Sequence, residues 1–183
     1  MKIKTINLLS FKELNEDQKK KVIENYNLIN VDDDEWHNFI IEEWKEKLAR
    51  QGFEDANINF SGFWSQGDGA SFNCSVNLEK FLKGRRAISK YSKEIKKQKE
   101  EGFNVAIKNG GFYYHEYTMA VECYDLENDQ LENFILEEAR EQARKIYKEL
   151  EKNYEYLTGE ESITETLIVN EYLFNEETLK IDF

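Results

Sequence analysis

The sequence has no proline and only two cysteines in 183 residues. The absence of proline, of internal repeats and of low-complexity linkers favours one compact unit. Cys74 and Cys123 lie in apolar, strand-like contexts without CxxC spacing, so we expect reduced thiols and no zinc or other metal site. A chain of this length needs no disulfide, because it buries roughly 70% of its unfolded surface on folding.

Long apolar runs are also missing. No segment approaches the roughly 20 apolar residues that span a bilayer. The first residues, Met-Lys-Ile-Lys-Thr, lack the apolar core of a signal peptide. These absences predict a soluble, intracellular protein without a membrane partner.

Positive charge is scarce overall but concentrated in one segment. The net charge of −12 argues against general nucleic-acid binding, which needs a positive surface. Between residues 83 and 99, however, the sequence has eight basic residues and a single acidic residue, Glu94. Such a run is typical of a solvated helix face, and it also offers a surface for an anion.

The hydrophobic pattern predicts an α+β fold, in which an antiparallel sheet of hairpins packs against several helices in a single domain, 1–183. An extended segment, 1–10, precedes a helix through Asn30. A second helix begins at Asp32-Asp33-Asp34, whose charges suit a helix N-terminus. Further predicted elements are a short link at 53–57, hairpins over 59–76 and 104–124, a basic helical stretch at 78–102 interrupted at Gly84, helices at 128–157 and 160–170, and a closing hairpin at 172–181.

The most informative stretch is Asn59-Phe-Ser-Gly-Phe-Trp-Ser-Gln-Gly-Asp-Gly-Ala-Ser-Phe72. Glycine and polar side chains crowd its centre, although a simple hairpin needs only two turn residues. One interpretation is a glycine-rich turn at 67–69 with the aromatic residues in the core. The other is a binding site built on the same hairpin, where glycine allows a ligand to approach the backbone.

The binding interpretation assigns a role to each residue type. Trp64 and Phe63 stack on a base, backbone amides near Gly67 and Gly69 hold an anion, and basic side chains pair with phosphate. Asp68 and Gln66 contact ribose hydroxyls or a base edge. The predicted ligand-binding residues are Ser61, Phe63, Trp64, Ser65, Gln66, Gly67, Asp68, Gly69, Ser71, Arg85, Arg86 and His115.

The phrase Phe60-Ser-Gly-Phe-Trp-Ser-Gln-Gly-Asp-Gly-Ala-Ser-Phe72 resembles a family of small bacteriophage proteins. Two further pieces of the chain are similar to that family: Tyr114-His115-Glu116 with Thr118-Met119, and Glu165-Thr166-Leu167 leading into Asn170-Glu171-Tyr172 and Phe174. The resemblance implies a phage accessory protein in the host cytoplasm that acts on host metabolism or host defence.

Three functions follow from these observations. The first is sequestration of a nucleotide-derived small molecule, such as a cyclic nucleotide or an ADP-ribose-type signal, with no cofactor; the aromatic content permits a homo-oligomer that completes the pocket. The second is an acidic inhibitor that binds a host defence protein, with acids of 32–46 and 127–151 as the contact surface or nucleic-acid mimic. The third is a hydrolase using His115, Glu116 and Asp68, although strand alternation places His115 and Glu116 on opposite faces.

Overall fold

The computed structural model describes residues 7–33, 35–123 and 125–182. It divides into two compact units. The terminal unit comprises the described parts of Met1–His37 and Lys152–Phe183, and the central unit comprises those of Asn38–Glu151. The expectation of a single domain stays a prediction.

The described part of the chain forms six α-helices, seven strands and two short 3-10 turns. In chain order they are β1 (Leu8–Ser10), the first 3-10 turn (Phe11–Glu13), α1 (Glu16–Asn25), α2 (Asn38–Arg50), β2 (Phe53–Phe60), β3 (Ala70–Val76), α3 (Leu78–Gly84), α4 (Ser92–Glu101), β4 (Ala106–Asn109), the second 3-10 turn (Glu116–Thr118), β5 (Met119–Glu122), α5 (Asp129–Leu157), α6 (Glu160–Val169), β6 (Leu173–Asn175) and β7 (Ile181–Asp182). None of these helices is both long and apolar enough to cross a membrane.

The terminal unit contains a small antiparallel sheet in the order β1-β6-β7. Helix α1 begins with a capping box, in which the Asn15 side chain accepts from the Gln18 amide and the Gln18 side chain accepts from the Asn15 amide. The apolar faces of α1, α6 and the sheet meet in one core cluster: Phe11, Leu14, Val22, Ile163, Leu167 and Phe174. The predicted closing hairpin is confirmed as β6 and β7. Residues 1–6 of the predicted extended segment lie outside the described residues.

The central unit contains a four-stranded antiparallel sheet in the order β2-β3-β4-β5. Its core face carries Ile58 opposite Phe72, and Cys74 opposite Ile107. The predicted long helix is confirmed as α5, whose buried apolar side chains recur every three or four residues: Leu131, Ile135, Ala139, Ala143, Ile146 and Leu150. Two antiparallel sheets with helices confirm the α+β class.

The structure contradicts the predictions for the residues before α2 and for the start of β2. The aspartate cluster does not start a helix: α2 begins at Asn38, and the Asp33 carboxylate instead accepts from the backbone amide of Glu35 at 2.9 Å. An aspartate that bonds two residues ahead forms an Asx turn, which competes with helix formation; Asp34 lies outside the described residues. The predicted link at 53–57 is the first part of β2, where a register shift accommodates Asp55 at a φ of 54°.

Candidate functional site

The candidate site is built on the loop 61–69 between β2 and β3, in the central unit. Ser61 closes the base of the loop twice: its backbone amide donates to the Gly69 carbonyl at 3.0 Å, and its hydroxyl accepts from the Gly69 amide at 3.1 Å. Ser61 and Gly69, both predicted to bind the ligand, therefore bond to each other and extend the hairpin beyond β2 and β3.

Asp68 holds the tip of the same loop. Its carboxylate accepts from the Ser65 amide at 2.7 Å, and its own amide donates to the Ser65 carbonyl at 3.1 Å. Gly67 between them has a φ of +95°, which only glycine adopts without strain. The turn interpretation thus accounts for Ser61, Gly67 and Asp68.

The two adjacent aromatic residues of the loop have different surroundings. Phe63 is buried, with its ring centroid 5.9 Å from that of Phe60 and 5.5 Å from that of Tyr147 on α5. Trp64 meets Phe63 edge to face at 6.0 Å, yet 71% of its surface is exposed. Phe63 anchors the loop, and Trp64 presents its indole to solvent beside the exposed side chains of Ser65 and Gln66.

The second hairpin differs from the prediction. In the second half of the predicted hairpin 104–124, only Met119–Glu122 is a strand, and a loop with a 3-10 turn precedes it; Tyr124 lies outside the described residues. The Thr118 hydroxyl lies within hydrogen-bond distance of two backbone carbonyl oxygens and can donate to either. The His115 oxygen is at 2.7 Å and the Tyr113 oxygen is at 3.1 Å. These bonds turn the chain back on itself, and alternation of apolar residues does not reveal them.

The fold brings this second loop against the first. A Cβ atom placed on Gly69 would lie 2.8 Å from Cδ2 of His115, and one placed on Gly67 would lie 3.9 Å from the ring of Tyr113. Since His115 is the predicted site residue farthest from the hairpin in sequence, the structure joins two motifs that the sequence presents separately.

His115 and Glu116 lie on the same side of their turn, so the expectation that alternation separates them was wrong. Nδ1 of His115 is 3.0 Å from a carboxylate oxygen of Glu116 and also accepts from the Tyr117 amide at 3.2 Å. The Tyr117 ring stacks on the imidazole at 5.0 Å. Because Nδ1 cannot accept from Tyr117 and donate to Glu116 at the same time, this pair has two alternative hydrogen-bonding states.

Helix α5 contributes residues that the sequence did not reveal as part of the site. Arg140, Arg144 and Tyr147 recur at helical spacing on the side of α5 that meets the two loops. Arg144 lies 3.9 Å from Glu116 and 2.9 Å from Glu141. The Arg140 guanidinium lies 5.9 Å from the Tyr117 ring centroid, and its buried Nε has no hydrogen-bond partner among the described residues.

Tyr147 connects this helix to the tip loop. Its hydroxyl donates to the Gly62 carbonyl at 3.1 Å. Burial, followed by the negative charges of Glu151, Asp68 and Glu116, raises the pKa of Tyr147 above its ordinary value. The hydrogen bond to Glu141 is the main reason why the pKa of Arg144 is also raised.

Ser71 is the most buried polar member of the predicted set. It lies in β3 opposite Asn59 and is 1% exposed. Its hydroxyl has no hydrogen-bond partner within the described part of the chain. A group at this depth cannot contact a ligand without a local rearrangement.

The structure does not bring Arg85 to the hairpin loop. Its guanidinium pairs with Glu138 at 2.7 Å and lies 3.9 Å from the Phe81 ring centroid and 5.7 Å from that of Phe53. Phe53 begins β2 and the loop follows its end, so at about 3.3 Å per residue the two places are up to about 23 Å apart. Arg86 follows α3 with a φ of 55° and also belongs to that region.

Among the described residues, no three or more His, Cys, Asp and Glu side chains are grouped so that they could hold a metal ion. No curated protein and no solved structure matches the chain. A family model with the description "Domain of unknown function (DUF8835)" matches residues 36–160, which include both loops and the site-facing part of α5. Because this match covers well over half of the 183 residues, the chain belongs to that family.

Proposed function

We propose that the protein binds a nucleotide-derived small molecule at the paired loops 61–69 and 110–118. The observation that carries this proposal is the exposure of Trp64, an indole held outward by its buried neighbour Phe63. Stacking of a base on an aromatic side chain is worth about 1–3 kcal/mol in nucleic-acid systems. Tyr113 and Tyr117, which are 66% and 70% exposed on the second loop, offer further stacking faces.

The geometry supports a different source of phosphate recognition from the one expected from the sequence. Arg85 is engaged elsewhere, whereas Arg144 lies on α5 beside Glu116 of the second loop. Its present partner Glu141 is about half exposed, and such surface pairs contribute only about 0–1 kcal/mol. A phosphate can therefore replace Glu141 and form a charge-assisted, bidentate contact with Arg144.

The biological role in this proposal is counter-defence by a phage protein in the host cytoplasm. It rests on the resemblance of the 60–72 phrase to small phage proteins and on the chemistry of immune signals, which combine a base with phosphate. A cyclic nucleotide and an ADP-ribose derivative share both groups. Removal of such a signal from solution requires tight binding without turnover.

Thermal denaturation with a ligand panel tests the proposal. Cyclic mononucleotides, cyclic dinucleotides and ADP-ribose derivatives are the probes, and a bound ligand should raise the melting temperature because it binds only the folded state. Trp64→Ala should abolish the rise. Phe39→Ala is the matched control, since Phe39 is an aromatic residue of α2 with 79% exposure and lies outside both loops.

The result decides the proposal in either direction. A rise in the control that is lost only in Trp64→Ala supports binding at the paired loops. A flat response across the whole panel, or an equal loss in both variants, overturns it.

The acidic-inhibitor alternative stays a prediction. Its proposed contact surface includes α5, where Glu137, Glu138 and Glu141 each pair with an arginine of the same chain. These pairs reduce the negative field that α5 presents to a basic partner. The structure therefore gives this alternative no specific support.

The hydrolase alternative depends on the His115–Glu116 pair. A carboxylate 3.0 Å from Nδ1 can orient an imidazole whose Nε2 accepts a proton from water. Incubation with the ligand panel distinguishes the functions: a binding protein returns the ligand intact. Product that forms with the unmodified protein and disappears in His115→Ala would replace the binding proposal by an enzymatic one.

A further inference from the structure

The terminal unit contains a concave site that is independent of the paired loops. A cavity of about 380 Å³ lies between the first 3-10 turn, α1 and α6. Ligand sites in proteins commonly measure about 300–1,000 Å³. The cavity is therefore large enough for a small organic molecule.

Helical spacing explains how two helices form its walls. Residues three and four positions apart share a helix face. The cavity is lined from α1 by Glu16, Lys19, Lys20 and Ile23, and from α6 by Glu160, Thr164 and Ile168. Phe11 and Lys12 of the 3-10 turn complete it.

The apolar part of this cavity is continuous with the core of the unit. Phe11 is 5% exposed and belongs to the core cluster, and Ile23 and Ile168 are partly buried and pack against that cluster. A ligand with an apolar body can therefore cover hydrocarbon surface here that the chain leaves partly open to water.

The charged part of the lining contains three lysines and two acidic residues. Lys19 pairs with Glu16 at 2.9 Å, and this contact, with a smaller contribution from the charge of Lys20, lowers the pKa of Glu16. Neither Lys12 nor Lys20 forms an ion pair with another described residue, and the other acid of the lining is Glu160. In a protein of net charge −12, three lysines against two acids beside an apolar floor give this lining a net positive charge that complements an anion.

We propose that this cavity binds an amphiphilic anion, that is, an apolar or aryl group carrying a carboxylate or a sulfonate. The apolar group lies against Phe11, Ile23 and Ile168, and the anionic group contacts Lys12 and Lys20. This site goes beyond the proposed nucleotide function and does not depend on it, since none of its residues belongs to the central unit.

Fluorescence of 8-anilinonaphthalene-1-sulfonate tests the proposal, because this probe combines an aryl body with one sulfonate. Titration of the folded protein should give a saturable rise in emission, and decanoate should displace the probe. The Lys12→Glu/Lys20→Glu double variant should weaken binding at least about tenfold through charge reversal. Thr164→Trp, which fills the space between the helices without changing charge, should also prevent binding.

Lys21→Glu is the matched control, because Lys21 is an exposed lysine of the same helix that does not line the cavity. It changes the net charge without altering the site, so its affinity should equal that of the unmodified protein. Circular dichroism and the melting temperature establish that each variant is folded.

Three results would overturn the proposal: no saturable emission, an unchanged affinity in folded Thr164→Trp, or a weakening by Lys21→Glu that matches the double variant in proportion to the change of net charge. The last would show that the probe responds to overall charge. None of these results affects the nucleotide proposal, whose test uses other ligands and residues of the central unit.

Discussion

The hydroxyl of Tyr147 donates a hydrogen bond to the carbonyl of Gly62 across 85 residues of sequence. It joins α5 to the tip of the β2–β3 loop, and the Phe63 ring packs against the ring of the same tyrosine. The position of Trp64 therefore depends on a helix that begins far downstream in the chain.

Tyr147→Phe should lower the free energy of unfolding by about 1 kcal/mol, the typical net value of one hydrogen bond, because it keeps the ring and removes the donor. Chemical denaturation at pH 8 measures the loss. Tyr156→Phe is the control on the same helix, since the Tyr156 ring is 63% exposed. An equal loss in both variants would contradict a specific role of the Gly62 contact.

The same variant should show a pH dependence. Burial and neighbouring carboxylates raise the folded-state pKa of Tyr147, so the unfolded chain loses this proton at a lower pH than the folded protein. The contribution to stability is complete below the ordinary tyrosine pKa of about 10 and is lost as the pH rises through the folded value. The difference in unfolding free energy between the unmodified protein and Tyr147→Phe should therefore shrink as the pH rises above about 10. A constant difference would contradict the raised pKa.

Gly69→Ala should destabilise the protein by about 1–3 kcal/mol, the usual cost of overpacking, because the added methyl group meets the His115 ring. Gly84→Ala is the control, since a Cβ atom there has no atom within 4 Å. That substitution lies in α3 and should be neutral or stabilising by up to about 1 kcal/mol. Thermal denaturation compares the stabilities of the two variants. An unchanged stability in Gly69→Ala would contradict the close contact between Gly69 and His115.

Arg85→Ala should lower stability by about 1–3 kcal/mol, because it removes the ring contacts of the guanidinium and leaves Glu138 without its partner. Arg86→Ala is the control: Arg86 is exposed, and alanine keeps the Cβ atom at the same positive φ. Neither substitution should alter a ligand-induced shift in melting temperature. If a folded Arg85→Ala variant lost this shift, Arg85 would take part in ligand binding, contrary to this prediction.

The two thiols should react at very different rates. Burial raises the pKa of the Cys74 thiol to about 12, so almost no reactive thiolate exists at pH 8, whereas Cys123 is only partly buried. A disulfide reagent should label Cys123 rapidly and Cys74 only after denaturation. Fast labelling that persists in Cys123→Ser would contradict the buried position of Cys74.

The site could be predicted from sequence only in part. The hairpin and its polar loop were predicted because glycine and aromatic residues cluster locally between Phe60 and Phe72. Arg144 and Tyr147 fall within the predicted helix 128–157, but no local pattern shows which side of a helix meets a distant loop. The 3-10 turn at 116–118 was predicted as strand, because its side-chain bonds to backbone carbonyls replace the ladder that alternation implies.

The sequence by itself determined the α+β class, the β2–β3 hairpin and the span of α5, because these depend on periodicity and on turn residues within a few positions of each other. Only the tertiary structure decided that His115 meets Gly69, that Tyr147 holds Gly62 and that Arg85 lies at the other end of β2. The first two relationships join residues 46 and 85 positions apart, and the third separates residues that composition alone groups together. Packing of whole faces, rather than any local preference, fixes which residues share a site.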